Sequence, residues 1–203
     1  MNIAALLVSF GLLIIAMTVH EFAHGWVAYK LGDTTAKYSG RLTLNPLAHI
    51  DPFWTVLMPL FLFITTGGQF IFGAAKPVPI NYWALKNPKI DTIWIGASGP
   101  SANLILATAS AMLMRFIPLP QVINMLLANF AMINVVLGVF NLIPIPPLDG
   151  SRILAGLLPR SLAEAYSAIE PYGFIIIMLL LWTGILGSVI WPLVGLILRL
   201  LSI

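Results

Sequence analysis

The sequence predicts an all-α polytopic membrane protein: a core of three transmembrane helices, a short β or re-entrant membrane-associated segment, and an additional C-terminal helix or helices. Of its 203 residues, 60% are hydrophobic and only 8% are charged, whereas about 25% of the residues of a soluble domain are charged. Apolar stretches that approach or exceed the roughly 20 residues needed to cross a bilayer recur along the chain. Turns rich in proline, glycine and polar residues separate them.

The first predicted helix covers residues 3–31 and is long enough to cross a bilayer. No Lys or Arg precedes Lys30, and no small-residue cleavage pattern follows the apolar stretch, so we do not expect a signal peptide. The last third of this helix carries His20, Glu21 and His24. Ionisable side chains in a membrane helix indicate function, because an apolar medium makes them costly.

Residues 32–91 are expected to form a membrane-associated region of short extended segments, turns and a re-entrant hairpin. Residues 53–72 are apolar, but Pro59 and the run Thr65-Thr66-Gly67-Gly68 leave only about half of a full span on either side. This segment can dip into the membrane and return, or it can cross. If it crosses, the following spans are inverted.

Two further spans are predicted at residues 92–116 and 122–143. The second of them ends in Pro144-Ile145-Pro146-Pro147, which cannot continue a helix because proline lacks the backbone donor. Residues 144–150 are therefore expected to form a Pro-rich loop. Residues 172–203 form a C-terminal transmembrane region that is either one tilted helix or two short ones.

The basic residues predict the orientation. The net charge of +3 is small and dispersed, so no nucleic-acid partner is expected. If residues 53–72 dip in and return, most basic residues lie on one face, which the positive-inside rule assigns to the cytoplasm. The functional residues then gather near the cytoplasmic side, and the cell membrane of a prokaryote is the expected location. If residues 53–72 cross instead, Asp149 is carried to the surface opposite His24.

A metal site is indicated by His20-Glu21-Phe22-Ala23-His24 on the first helix. Histidines four residues apart project from the same helix face and can bind one ion, while Glu21 can address a bound water. With three His and three Glu in the chain, this pattern is expected by chance only about 0.0006 times. A His pair that merely hydrogen-bonds to neighbouring helices is the weaker interpretation, since buried ionisable groups in membranes are usually functional.

The chain has no cysteine, so a metal must be held by His nitrogens and carboxylate oxygens. A catalytic zinc site takes three protein ligands and keeps one position for water. Asp149 is the best third ligand because it follows an apolar helix, whereas the other acidic residues lie in polar connections or in the charged segment after the third span. His49 is the alternative, although its polar turn favours a role in ordering the loop.

With these residues in place, the chain resembles the site-2 protease family of intramembrane zinc metalloproteases, peptidase family M50, in a compact form without a PDZ or CBS domain. The resemblance covers residues 14–154. The motifs that carry it are His20-Glu21-Phe22-Ala23-His24, Gly40-Arg41-Leu42-Thr43-Leu44-Asn45-Pro46, Gly99-Pro100-Ser101-Ala102-Asn103 and Asn141-Leu142-Ile143-Pro144-Ile145-Pro146-Pro147-Leu148-Asp149-Gly150.

The resemblance implies one zinc ion per chain, bound by His20, His24 and Asp149, with Glu21 as the catalytic base. It implies a metalloprotease that hydrolyses peptide bonds in membrane-spanning or membrane-proximal segments, with a catalytic core at residues 1–171. A membrane metal transporter and a catalytically silent membrane scaffold are the alternatives. Neither the substrate's identity nor the oligomeric state is predicted.

Peptide hydrolysis requires an extended substrate, because a helix hides its amides in internal hydrogen bonds. Residues 37–44 and 70–80 are suited to capture a transmembrane protein or peptide as an extended strand, although they can equally serve to close the fold. Asn141 is the candidate donor to the oxyanion of the reaction, and a helix cap or interhelical bond fits it equally well. Asn103 lies among small residues, which favours helix packing over catalysis.

Overall fold

The computed structural model describes residues 3–67 and 73–203, with helices and connecting loops. The α-helices within these residues are α1 (Ile3–Lys30), α2 (Thr35–Tyr38), α3 (Met58–Thr65), α4 (Pro88–Phe116), α5 (Gln121–Asn141), α6 (Asp149–Leu157), α7 (Arg160–Ser167), α8 (Gly173–Trp182) and α9 (Ile185–Leu200). A π-helix at Pro52–Leu57 leads directly into α3. Short 3-10 helices lie at Pro46–His49, Tyr82–Ala84 and Glu170–Tyr172.

Three helical stretches of the described residues are long and apolar enough to cross a membrane, which identifies a multi-pass membrane protein. Ala4–Lys30 and Gln121–Asn141 correspond to the predicted first and third spans. The other, Arg160–Trp182, contains α7 and α8 with the 3-10 helix Glu170–Tyr172 between them. It begins before the predicted C-terminal region, because the charged segment after α5 is itself helical.

The predicted second span forms α4, yet α4 is not one of these three apolar stretches. Its 29 residues reach about 43 Å, enough to cross a bilayer. It is less apolar because its buried face carries small and polar side chains that pack against α1, α5 and α6. Small residues allow packed membrane helices to approach closely, so α4 lies at the centre of the bundle. Its buried residues include Gly96, Gly99, Pro100, Asn103, Ala107 and Ser110.

The predicted β segment is wrong for the described part of the chain, because residues 3–67 and 73–203 contain no strand. Residues 37–44 begin in α2 and continue as turns. Residues 73–81 form neither a helix nor a strand, with Asn81 in an extended conformation, and residues 70–72 of the predicted segment lie outside the described residues. We call residues 73–81 the extended segment below.

Contacts with remote loops, rather than a second strand, satisfy the backbone of the extended segment, and they include a backbone bond of 2.9 Å from Lys76 N–H to His49 O. Arg41 donates from Nη2 to the carbonyl oxygens of Lys76 and Pro77, at 2.6 and 3.2 Å. The backbone N–H of Asn81 donates to Asp33 Oδ2 at 2.7 Å. Two prolines within the segment also remove donors that a β ladder would need. The segment therefore stays extended as a single chain held between two loops.

The two ends of the apolar segment at residues 53–72 lie side by side where they are described. The backbone N–H of Ala74 donates to Trp54 O at 3.1 Å, and Thr55 Oγ1 donates to Ala74 O at 2.7 Å. The helical stretch Pro52–Thr65 is also shorter than the roughly 20 residues that a crossing needs. A crossing would separate Trp54 from Ala74 by the thickness of the bilayer. The described ends of the segment therefore lie next to each other, and its path through the membrane stays a prediction.

The C-terminal region forms two short helices, α8 and α9, rather than one tilted helix. Both contribute to a buried cluster with α4 and α5, so the predicted core and C-terminal region share one hydrophobic core. The division of the chain at residue 171 stays a prediction. The members of this cluster are Ala107, Ala131, Val135, Val139, Leu148, Ile177, Leu186, Ile190 and Val194.

The Pro-rich connection between α5 and α6 fixes the first turn of α6. Gly150 lies so close to the backbone of Leu142 and Ile143 that an added Cβ would collide with both carbonyl groups. Only glycine permits this approach. Asp149, the first residue of α6, is therefore held against the end of α5.

Gly150→Ala is expected to destabilise the protein by about 1–3 kcal/mol, because a methyl group must displace backbone atoms. Thermal unfolding in detergent measures this loss. The control is Gly195→Ala in α9, where an added Cβ meets nothing within 4 Å. It should leave stability unchanged or raise it slightly, since alanine favours a helix. Equal melting temperatures for the two variants would refute this account of the connection.

Candidate metal centre

Three side chains from α1 and α6 converge at one buried point. His20 Nε2 and His24 Nε2 lie 3.0 and 3.1 Å from Asp149 Oδ2, and the two Nε2 atoms lie 3.0 Å apart. The three residues are only 4–7% exposed. Among the described residues, this is the group of His and acidic side chains that could hold a metal ion. The structure thus brings together the three ligands expected from the sequence.

The other nitrogen of each imidazole faces an acceptor. His20 Nδ1 lies 2.6 Å from Asn103 Oδ1, and His24 Nδ1 lies 2.7 Å from the carbonyl oxygen of Ile95. Each Nδ1 must therefore carry a hydrogen and donate it. Because a neutral imidazole has one N–H, each Nε2 is left with a free lone pair that points towards Asp149.

These atoms fit a zinc ion. Two imidazole lone pairs and a carboxylate oxygen are three acceptors with no donor between them, so only a cation or an added proton can relieve their repulsion. Two His nitrogens and one carboxylate oxygen are a ligand set found in catalytic zinc sites, which keep a fourth position for water. A polar partner on the second nitrogen of each histidine is likewise usual for metal ligands.

Gly99 of α4 provides the space that the site needs. A Cβ added at Gly99 would collide with the imidazole nitrogens of His20 and His24 that face Asp149. Pro100, which has no backbone N–H, interrupts the hydrogen bonding of α4 at this turn. The Gly-Pro pair thus lets α4 pass close to the two rings without filling the ligand position.

The environment of Asp149 favours its ionised form. Burial opposes ionisation, but a proton on the neighbouring imidazole of His24 or His20 outweighs it and holds the pKa of the Asp149 carboxyl well below its usual value. Asp149 is also the first residue of α6, where the helix dipole favours a negative charge. Arg152 Nη1 lies 3.9 Å from Asp149 Oδ1. A carboxylate ligand is therefore available at this position.

Glu21 is held by the extended segment. Its Oε2 accepts a hydrogen bond of 2.9 Å from the backbone N–H of Val78. Glu21 follows His20 on α1, so it lies in the same helical turn as the two histidines. Because one oxygen is engaged by Val78, the other is left to accept a proton.

Three other residues that the sequence analysis considered, Asn141, His49 and Asn103, are not among the three converging side chains. Asn141 donates from Nδ2 to Leu137 O at 3.0 Å, within its own helix, and its role as an oxyanion donor stays a prediction. His49 Nε2 lies 2.8 Å from Thr43 O, which matches the loop-ordering interpretation. Asn103 contacts His20 directly, so it lies closer to the candidate site than its small-residue surroundings indicate.

The sequence analysis does not identify two residues that bond to the candidate site or to its neighbours. Asn134 donates and accepts hydrogen bonds in the interior of the apolar helix α5, and its position seven residues before Asn141 was the available signal, because this spacing returns to the same helix face. Val78 acts through its backbone, which no side-chain pattern indicates.

Comparisons with known proteins agree with this geometry. The family model described as peptidase family M50 matches residues 118–182, which include Asp149. YwhC of Bacillus subtilis, whose name describes it as a candidate zinc metalloprotease, is 38% identical over 192 residues, covering 90% of this chain and 84% of YwhC. Rip2 of Mycolicibacterium smegmatis, with the same description, is 32% identical over 183 residues, or 89% of this chain and 69% of Rip2. No solved structure matches the chain.

An archaeal protein extends the similarity. A zinc metalloprotease of Methanocaldococcus jannaschii is 28% identical over 153 residues, which cover 75% of this chain but only 35% of that protein. The family assignment therefore depends on YwhC and Rip2, because these matches cover most of this chain and most of each relative.

The purified native protein is expected to hold about one zinc per chain, which elemental analysis after removal of loose metal measures. Gly99→Ala should lose this zinc although it removes no ligand, because its methyl group fills the space beside both imidazoles. Asp149→Ala is the comparison that removes a ligand. The control is Ser101→Ala on an exposed position of α4. Full zinc retention in Gly99→Ala would show that the described gap is not the metal position.

Proposed function

Because the chain belongs to peptidase family M50, we propose that it is an intramembrane zinc metalloprotease that hydrolyses peptide bonds in membrane-spanning or membrane-proximal segments of proteins. The observation that carries the proposal is the convergence of His20 Nε2, His24 Nε2 and Asp149 Oδ2. This ligand set supports metal binding, and Glu21, which follows His20 in the chain, supports hydrolysis as the use of the metal.

His20, His24 and Asp149 would hold the ion. Zinc, when bound, supplies the Lewis acidity that makes water nucleophilic near neutral pH. Glu21 takes a proton from the attacking water while the water oxygen bonds to the carbonyl carbon of the substrate. Glu21 then gives this proton to the leaving nitrogen as the C–N bond breaks. Because Val78 holds Oε2, Oε1 of Glu21 is the oxygen that carries the proton.

The extended segment is the element that we propose to align the substrate. Val78 touches Glu21 through its backbone N–H, so a peptide carbonyl brought to Glu21 lies alongside this segment. No donor from the described residues reaches the carbonyl oxygens of Val78 and Pro79. These oxygens can accept hydrogen bonds from the amides of an unwound substrate, as in recognition by strand addition.

Asn141 is proposed as the donor to the oxyanion that forms on the substrate carbonyl. Its amide donates to Leu137 O in this structure, so it must rotate to act. Its place at the last turn of α5, before the Pro-rich connection to Asp149, favours such a rotation over one in the middle of a helix.

We propose the prokaryotic cell membrane as the location, with the active site nearer the cytoplasmic side. The side-by-side contact of Ala74 with Trp54 supports a re-entrant segment at residues 53–72. That path leaves most Lys and Arg residues on one surface, which the positive-inside rule assigns to the cytoplasm. It also leaves His24 and Asp149 at the same depth, in agreement with their contact.

Glu21→Gln is expected to keep zinc binding but to lower cleavage of membrane-helix peptides by about 10²–10⁴-fold, because the amide cannot take the proton from water. Mass spectrometry of a peptide panel in detergent measures cleavage, and elemental analysis measures zinc. A metal transporter, the alternative function, needs no general base beside its ion.

Glu164→Gln is the matched control, since Glu164 is exposed and pairs with Arg160 on α7. It should cleave like the native protein. Unchanged cleavage in Glu21→Gln, or zinc flux into vesicles that persists in this variant while no peptide is cut, would overturn the proposed function in favour of transport.

A further inference from the structure

A chain of buried amides connects His20 to the backbone of α5. Asn103 Oδ1 lies 2.6 Å from His20 Nδ1, and Asn103 Nδ2 donates to Asn134 Oδ1 at 2.8 Å. Asn134 Nδ2 in turn donates to Phe130 O at 2.8 Å. Both asparagines are completely buried. The chain thus crosses α1, α4 and α5 in the interior of the bundle.

The hydrogen bonds give the Asn103 amide one orientation. Its Nδ2 is directed at two acceptors, Asn134 Oδ1 and Ala16 O, the latter at 3.3 Å. Its oxygen therefore faces His20. If the amide turned over, its N–H groups would face the imidazole and its oxygen would face two other oxygens, so the native orientation depends on the acceptor that Asn134 supplies.

The orientation of Asn134 is fixed in the same way. Its Nδ2 is engaged by Phe130 O one turn earlier in α5, so its Oδ1 is the atom presented to Asn103. An apolar side chain at this position would leave Asn103 Nδ2 with only the longer bond to Ala16 O. A buried donor without a good partner is costly, and rotation of the Asn103 amide becomes competitive.

The orientation of the Asn103 amide determines which ring nitrogen of His20 carries the hydrogen. An Asn103 oxygen at His20 requires the hydrogen on Nδ1 and leaves Nε2 free to bind an ion. An Asn103 N–H at His20 requires the opposite tautomer, with the hydrogen on Nε2, where it blocks the ligand position. The two orientations of one buried amide thus correspond to a competent and an incompetent ligand.

We propose that Asn134 is a positioning residue of the zinc site, which acts through Asn103 to keep the Nε2 atom of His20 unprotonated and available to the ion. This inference rests on the proposed function only in that it takes zinc as the bound ion. Asn134 contacts none of the three ligands in this structure, so its effect is transmitted by the amide chain.

The test is the zinc affinity of Asn134→Leu, measured by competition with a chromophoric chelator in detergent. Leucine has a similar size but offers no acceptor to Asn103. The dissociation constant for zinc should rise by about 10–100-fold, the usual effect of removing a partner behind a metal ligand. At zinc concentrations well above this constant, cleavage should recover, since Glu21 and the ligands are intact.

Asn129→Leu is the matched control. Asn129 also lies on α5 and also bonds to another helix, from Nδ2 to Ser9 Oγ of α1 at 2.7 Å, but this bond does not involve Asn103 or His20. A role in helix packing alone would weaken zinc binding to the same extent in both variants. The proposal instead requires an unchanged zinc constant in Asn129→Leu.

A conservative variant separates acceptor loss from disturbed packing. Asn134→Asp keeps an oxygen facing Asn103 Nδ2 and should bind zinc more tightly than the leucine variant.

If the leucine variant does not fold, Asn134→Thr replaces it, because a Thr hydroxyl can bond Phe130 O but is too short to reach Asn103. The proposal would be overturned if Asn134→Leu or Asn134→Thr bound zinc with native affinity, or if Asn129→Leu weakened zinc binding equally. A native protein that binds no zinc would instead overturn the proposed function.

Discussion

The organisation of this protein depends on three acceptor atoms that meet inside an apolar bundle. His20, His24 and Asp149 present two imidazole lone pairs and a carboxylate oxygen at separations of 3.0–3.1 Å. In a medium of low dielectric constant such a cluster is unfavourable unless a cation neutralises it. The helices around it therefore have to hold the ligands in place before the ion binds, and their sequences show how they do so.

The central helix α4 makes three separate contributions to this arrangement. The Ile95 carbonyl accepts from His24, Gly99 leaves room for the ion, and Asn103 accepts from His20. These residues are spaced four apart, so they lie along one face of the helix. To supply these groups at successive turns, α4 needs small and polar residues on the face that contacts the two histidines. This requirement explains why α4 is less hydrophobic than α1 and α5.

The residues that converge could be predicted from residue types and their positions in the chain, whereas contacts made by backbone groups and buried amides could not. The His20–His24 spacing follows from helix geometry, and Asp149 follows from its position after an apolar helix. The sequence predicts strand-like segments at residues 37–44 and 70–80, but Arg41 and Asp33 bind the backbone of residues 76–81 from remote loops. The link from Asn103 to His20 was missed for the same reason, since only the packed bundle shows which amide faces which ring.

X-ray absorption at the zinc edge tests the central claim most directly, because it reports the atoms bound to the ion in the detergent-purified protein loaded with one equivalent of zinc. The claim predicts a four-coordinate shell without sulfur, with two imidazole nitrogens at about 2.0–2.1 Å and oxygen ligands at about 2.0–2.2 Å. The two imidazoles should also give the multiple-scattering features of histidine rings. A six-coordinate shell of oxygens, or a shell with at most one imidazole, would contradict it.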